Sequence, residues 1–289
     1  MTSFDTTSLV DLDYKPKLPK NKSIGIGIVG AGAIVQACHL PAYKMAGFNV
    51  VGIYDLEKKR AESVADEFDL KQVFETLEEL LKHPEIEVVD IAIPAKFQPD
   101  VVEQVAAAGK HILCQKPLAE SFEDAKRIVD CVKKAGVKAA VNQQMRWSPG
   151  ISASRSIVRR GLLGDVTQAS IQVNVLTEWE QWPWITKINR LEVMYHSIHY
   201  LDSIRSVLGV APEYIYADGA KFPGQQSVGE TRTMIHMKFP GETRGLIHDN
   251  HNNFAGQEDW YAQFRFEGTE GIIKGTNGAL YNYPVGTED

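Results

Sequence analysis

Apolar positions along this chain run first in unbroken blocks and later in strict alternation. "IGIGIV" (24–29) is a continuous apolar run, as a strand buried on both faces requires. A helix-like stretch follows to about Ala46, then a second strand, "NVVGIYD" (49–55). "LEKKRAESVADEF" (56–68) places Ala61, Val64, Ala65 and Phe68 on one side of a helix. "EVVDIAIP" (87–94) is a third buried strand, with a helix over roughly 99–108 after it. "HILC" (111–114), the helix "EDAKRIVDCVKKAG" (123–136) and "VKAAVN" (137–142) complete the series. This β-α-β-α order predicts a right-handed, doubly wound parallel sheet.

After about residue 145 the rhythm changes. A helix over 149–160 precedes "DVTQASIQVNVL" (165–176), whose period is two. A tryptophan-rich loop and a helix over 190–208 come next. Strands at 213–221, 230–239, 243–252, 260–267 and 271–275 follow, joined by turn chemistry such as "FPGE" and "FEGTEG". The second half therefore reads as an α+β domain, a mostly antiparallel open sheet with helices on one face. The expected division is a polar N-terminal arm (1–23), a nucleotide-binding domain (24–145) and an α+β domain for substrate and oligomerisation (146–289).

Composition narrows the class. The 289 residues are 44% hydrophobic and 24% charged, enough apolar material for one large or two ordinary cores. A net charge of -6 argues against a nucleic-acid partner, which needs a basic stripe. No apolar run approaches the roughly 20 residues that span a bilayer, and the first 23 residues lack the apolar core of a secretory signal. Cys38, Cys114 and Cys131 are odd in number and widely spaced, as expected of reduced thiols in a cytoplasmic protein.

The first strand runs into "VGAGAIVQ", where Gly30 and Gly32 fit the opening of G-x-G-x-x-G and Val35 stands in place of the third glycine. Such a turn lets backbone N–H groups at a helix start (Gly30, Gly32, Ala33, Ile34) meet a pyrophosphate. Asp55 closes the second strand 25 positions after Gly30, near the ~20 residues expected for a ribose-binding carboxylate. An acid there repels a 2′-phosphate and favours NAD over NADP; it can also cap the helix that follows.

Taken together, "GAGAIVQACHLPA", "VVDIAIPAKFQPD", "AAAGKHILCQKPLAE", "AVNQQMRWSP", "MYHSIHYLDSIRSVLG" and "FRFEGTEGIIKG" resemble the Gfo/Idh/MocA family of nicotinamide-dependent oxidoreductases over roughly residues 24–283. The resemblance implies a Rossmann domain, an open-sheet domain and an active site in the cleft between them. It implies hydride transfer at a carbon bearing a sugar or polyol hydroxyl. It assigns Gly30, Gly32 and Asp55 to NAD, Pro94, Ala95 and Asn142 to the cofactor's surroundings, and Lys116 to the lysine of a Glu-Lys-Pro signature. His199 matches the histidine of Asp-x-Gly-x-His, and Asp202 the acid three residues on. Gln115 replaces the signature glutamate, Gln98 stands where a histidine is common, and Tyr195 and Ser197 replace the motif's aspartate and glycine. Gln98 and Gln115 are taken with the cofactor-binding set.

Oxidising an alcohol requires a base within about 3 Å of the hydroxyl proton. The expected arrangement has Lys116 hydrogen-bonding the reacting oxygen while His199 takes the proton. Tyr195, His199 and Asp202 share one face at i, i+4 and i+7 of an ideal helix. Arg146, Trp147, Trp182, Tyr195, His196 and Asp202 are the candidate substrate contacts, against the plainer roles of packing and surface. Trp179, Trp182 and Trp184 suit either a pyranose wall or a core. His196 and His199, three apart, raise the question of a metal, but no acid or cysteine cluster in the sequence completes a ligand set, so no metal is expected. Rival functions are a glycoside-cleaving enzyme that oxidises its substrate transiently, and a non-catalytic NAD-sensing regulator. The chain stops sooner after its last strands than the family commonly does. A homo-oligomer through the outer face of the second sheet is expected.

Overall fold

The computed structural model of the chain describes residues 12–177, 179, 182–253 and 262–276. It divides into two units, Lys17–Asn142, and Gln143 onward together with the segment ending at Pro16.

The first unit is a five-stranded parallel sheet in the order β2-β1-β3-β4-β5. Its strands are β1 (Gly25–Val29), β2 (Asn49–Tyr54), β3 (Ile86–Ile91), β4 (His111–Gln115) and β5 (Ala139–Asn142). β1 is buried at every position, which is why its sequence shows no alternation. Helices α1 (Leu40–Ala46), α2 (Lys58–Phe68), α3 (Leu77–Lys82), α4 (Gln98–Ala107) and α5 (Phe122–Ala135) provide the crossovers. α2 buries Ala61, Val64 and Ala65, three of the four residues its periodicity selects. Ser121 starts α5 by accepting the Asp124 N–H at 3.0 Å. α3 was not expected from the sequence: its apolar face is a single turn, and Thr76 makes it a helix by accepting the Glu79 N–H at 3.1 Å.

The second unit contains α6 (Pro149–Arg159), α7 (Ile198–Leu208) and a six-stranded sheet ordered β11-β10-β6-β9-β8-β7. The strands are β6 (Val166–Asn174), β7 (Tyr214–Ala220), β8 (Arg232–Lys238), β9 (Arg244–Asn250), β10 (Gln263–Gly268) and β11 (Ile272–Thr276). All pairings are antiparallel except β6 with β9, which is parallel. Period two does the sorting: Ala169, Ile171, Val173, Ile235, Met237, Ile247, Phe264 and Phe266 face inward onto Ile151 of α6 and Tyr200, Ile204 and Val207 of α7. Tyr216, His236 and Leu246 stand in register on the opposite, exposed face. Among the described residues no helix is long and apolar enough to cross a membrane, and the three cysteines are free.

Candidate functional site

In the first unit the turn after β1 is built by two glycines with different duties. Gly30 has φ +106°, and a Cβ there would lie 2.4 Å from the Ala92 carbonyl oxygen, so the fold itself requires glycine. At Gly32 a Cβ would meet nothing within 4 Å. The protein's own packing gives no reason for glycine at 32; open space in front of a helix start is what an approaching pyrophosphate needs. Ala33 and Ile34 begin that helix, whose residues Val35–His39 are π-helical before α1.

Asp55 sits just past β2 with both oxygens turned to backbone. Oδ2 accepts the Ala31 N–H at 2.7 Å and Oδ1 the Glu57 N–H at 2.8 Å, with Arg60 3.6 Å away. Asp55 therefore ties the glycine turn to the start of α2, and each oxygen keeps a lone pair for a ribose hydroxyl. These residues fit a dinucleotide.

Behind Lys116 lies a polar chain that sequence reasoning missed. Asp90, fully buried in the middle of β3, accepts from the Tyr43 hydroxyl at 2.8 Å and faces His39 Nδ1 at 2.7 Å. A carboxylate only accepts, so Nδ1 carries the proton and Nε2 is an acceptor. Two amide groups then donate to Nε2, Gln115 Nε2 at 3.3 Å and Asn142 Nδ2 at 3.2 Å. That orientation turns Gln115 Oε1 toward the Lys116 N–H, which it accepts at 2.7 Å. The departure from glutamate now has a physical reason: His39 Nε2 needs a donor opposite it, which an amide supplies and a carboxylate does not. The signal in the sequence was Asp90 itself, an acid inside the apolar run "VVDIAI".

Gln98, expected among the cofactor contacts, is placed as a buttress to the Lys116 loop. It is fully buried, and its Nε2 donates to the carbonyls of Gln115 at 3.0 Å and Pro117 at 2.7 Å. Gln98 thus holds the loop carrying Lys116 from behind. The Ala95 side chain is also buried, leaving Pro94 as the exposed surface there. Gln115 points inward and acts on the Lys116 backbone. Lys116 follows β4, is half-buried as a residue, and is joined to Pro117 by a cis peptide. Desolvation of its amine lowers the pKa to about 8. Burial pushes the neighbouring Cys114 thiol up to about 12, so it is not a nucleophile.

In the second unit the helix leading into α7 departs from ideal spacing. Val193–Ser197 is π-helical, so the offset of Tyr195 from His199 departs from that of an ideal helix, while His199 and Asp202 keep their i, i+3 relation on α7. Tyr195 packs in an apolar cluster with Trp179, Ile185 and Leu191, edge-on to Trp184 at 5.6 Å. His199 is buried at the start of α7, its carbonyl accepting from Ser203 Oγ at 2.7 Å. Asp202 is paired with Arg146, whose Nε is 2.7 Å from Oδ2 while a second guanidinium nitrogen bonds Oδ1. Trp147 is half exposed, with the Arg155 guanidinium 5.0 Å from its ring centre. Trp179 is core and Trp182 leans on the same cluster, so of the three loop tryptophans Trp184 is the exposed one.

Around His196, though not His199, an acid and a second histidine do gather. His196, Glu192 and His251 come together with ligand atoms within 4.8 Å of one another. Glu192 stands one turn before His196 and was visible in the sequence; His251, 59 residues from Glu192, was brought in by the sheet.

The family model described as "Oxidoreductase family, NAD-binding Rossmann fold" matches residues 24–143, and the Gfo/Idh/MocA C-terminal domain model matches residues 151–274. The chain is 27% identical over 269 residues to 1,5-anhydro-D-fructose reductase of Ensifer adhaerens, covering 90% of this chain and 78% of that protein. It is 26% identical over 267 residues to 2,7-anhydro-N-acetylneuraminate hydratase of Mediterraneibacter gnavus, covering 90% and 67%. An Agrobacterium radiobacter oxidoreductase, solved with NAD+, L-tartaric acid and magnesium, superposes with a TM-score of 0.81 at 22% identity, over 87% of this chain and 74% of that one. With a parallel nucleotide-binding unit, an open-sheet unit and both family models matched in order, the chain belongs to the Gfo/Idh/MocA family of NAD-binding oxidoreductases.

Proposed function

We propose that the chain is a dehydrogenase that moves a hydride between NAD and a secondary hydroxyl of a sugar, glycoside or polyol. NAD, when bound, supplies the hydride acceptor or donor. Gly30 and Gly32 clear the way for its pyrophosphate, Ala33 and Ile34 offer helix-start N–H groups, and Asp55 takes the adenosine ribose. Lys116 holds the reacting oxygen, and His199 receives the hydroxyl proton. The observation that carries this reading is Lys116: a lysine seated past a parallel strand, backed by the Asp90–His39–Gln115 chain, with burial bringing its amine to about 8. A lysine in that range can both donate a hydrogen bond and exchange a proton near neutral pH. Arg146, Trp147, Trp182, Tyr195, His196 and Asp202 are assigned to the substrate side, with Arg146 and Asp202 acting as a pair. The reaction belongs in the cytoplasm, where reduced cysteines persist.

The test is a panel of sugars, inositols and glycosides with NAD and with NADP, followed by reduced-nicotinamide absorbance. Turnover with NAD on at least one polyol, abolished in Lys116→Met and His199→Ala, is expected. NAD binding with no response to any substrate would instead support a regulator. The resemblance to a hydratase supports a second reading, transient oxidation followed by elimination. That reading expects substrate consumption with no net reduced cofactor.

Association of copies through the outer sheet face is supported by its exposed Tyr216, Met234 and Leu246. Sedimentation showing a monomer at micromolar concentration would refute it.

A further inference from the structure

The Glu192–His196–His251 cluster lies wholly within the second unit and is unused by the proposed chemistry except for His196. Its first property is a pair of buried carboxyl groups. Glu192 and Asp249 are both fully buried. Among the described residues neither is in salt-bridge reach of a lysine or arginine; their ion-pair partners are His196 and His251 alone. Two carboxyl groups buried side by side with imidazoles as their ion-pair partners are costly unless a proton or a cation lies between them.

The second property is a shortage of protons. His251 Nδ1 is 2.5 Å from Glu192 Oε1 and 3.0 Å from Asp249 Oδ1. A single N–H points along one direction and serves Glu192, so Asp249 Oδ1 is left, buried, without a hydrogen-bond donor. Its other oxygen is satisfied by Ser197 Oγ at 2.8 Å, and Ser197 is held by Thr233 Oγ1 at 2.8 Å. Asp249 is therefore fixed and aimed at the cluster.

The third property is convergence. His196 Nδ1 lies 3.4 Å from Glu192 Oε2, on the opposite oxygen from His251. The two imidazole rings are stacked at 3.8 Å with planes 15° apart, so both present a nitrogen edge to the same carboxylate. His196 keeps 20% of its side chain exposed and provides the entry. Ligands about 2.0–2.2 Å from a zinc ion stand ~3.3–3.5 Å apart in a tetrahedral shell, a value inside the range found here, from 2.5 Å between His251 and Glu192 to a limit of 4.8 Å across the three residues. A divalent ion with neutral imidazoles balances the two carboxylates completely.

We propose that Glu192, His196 and His251, with a carboxylate oxygen of Asp249 as the fourth ligand, form a binding site for a first-row divalent transition-metal ion. Two imidazoles with carboxylates favour zinc, cobalt or iron over magnesium or calcium. On loading, the His251 N–H to Glu192 bond is given up, the proton leaves to solvent, and the rings splay so that each nitrogen lone pair meets the ion. The ion clips the helix before α7 to the segment that follows β9.

The test uses the full chain, stripped with chelator and exchanged into chelator-free buffer. After reloading with zinc and gel filtration, the parent chain is expected to retain about one zinc ion. Zinc a hundredfold above its Kd is expected to raise the melting temperature by about 5–10 °C, and cobalt to give the intense visible bands of a four-coordinate site. His196→Ala, at the exposed edge, should melt like the parent in chelator and bind zinc about 100-fold more weakly. Glu192→Gln, a neutral isostere, should lose the cobalt bands. A parent protein that elutes without zinc and shows no thermal shift overturns the proposal and leaves a proton shared by the carboxylates. Zinc bound equally well by both variants also overturns it, because the ion then sits elsewhere.

Discussion

Gly30 and Gly32 are two positions apart in one turn, and alanine at each should fail in different ways. At Gly30 the new methyl would lie 2.4 Å from the Ala92 oxygen and 3.1 Å from Ile93 Cγ2, on a backbone with φ +106°. Backbone strain of roughly 1–3 kcal/mol, with a contact that β3 must yield to, gives a loss of about 3 kcal/mol or more. For a unit of this size that is a fall of about 10 °C in melting temperature. At Gly32 nothing lies within 4 Å and φ is outside the left-handed region. Gly32→Ala should leave the ligand-free protein as stable as the parent, or more stable by up to about 1 kcal/mol, because alanine restricts the unfolded chain. Its cost appears only with NAD, where a methyl in front of the pyrophosphate should raise Kd at least tenfold, about 1.4 kcal/mol. Scanning fluorimetry without ligand and calorimetric titration with NAD separate the two. Parental NAD affinity in Gly32→Ala would show that the cradle is not at this turn, and a parental melt for Gly30→Ala would refute the packing argument.

Further outcomes follow from the same geometry. With the Lys116 pKa lowered to about 8, the neutral amine available for proton exchange grows through pH 8, so kcat/KM for alcohol oxidation should rise about tenfold from pH 7 to 9 and level off, while Lys116→Met should show no turnover anywhere in that range. Asp55→Ser removes the acid beside Arg60 and should narrow the NAD-over-NADP preference at least tenfold in Kd ratio, measured by titration with both cofactors. Gln115→Glu sets a carboxylate oxygen against the acceptor face of His39 and should cost about 1–3 kcal/mol in denaturant unfolding, despite restoring the family's residue. Gln98→Leu strips a shared donor from the buried Gln115 and Pro117 carbonyls and should cost a similar amount.

The strands and the long helices were legible because each sorts residues by one period. β1 shows no alternation because both its faces are covered, and β6 alternates because only one is. What escaped was set by other things. α3 is too short to show a period, and a threonine cap decides it. The π-helical turn at Val193–Ser197 cannot be seen in residue types, so the offset of Tyr195 from His199 and Asp202 on α7 is not the one an ideal wheel gives. His39, Asp90 and Gln115 meet across 51 and 76 residues, and only the acid in an apolar strand hinted at them. The Glu192–His251 meeting depends on a sheet register that no local pattern encodes.

The placement of β6 also fixes an order of events at the ribosome. Its neighbours are β9 and β10, so the centre of that sheet stays open until the chain through Gly268 has emerged. The first unit is complete in strand content at Asn142. At ~5–20 residues per second the nascent second unit therefore waits ~6–25 s after the first can close, its Phe264 and Phe266 not yet available to cover Ile171. Chaperone holdases should engage the nascent chain in that interval, before the inner face of the second sheet is covered.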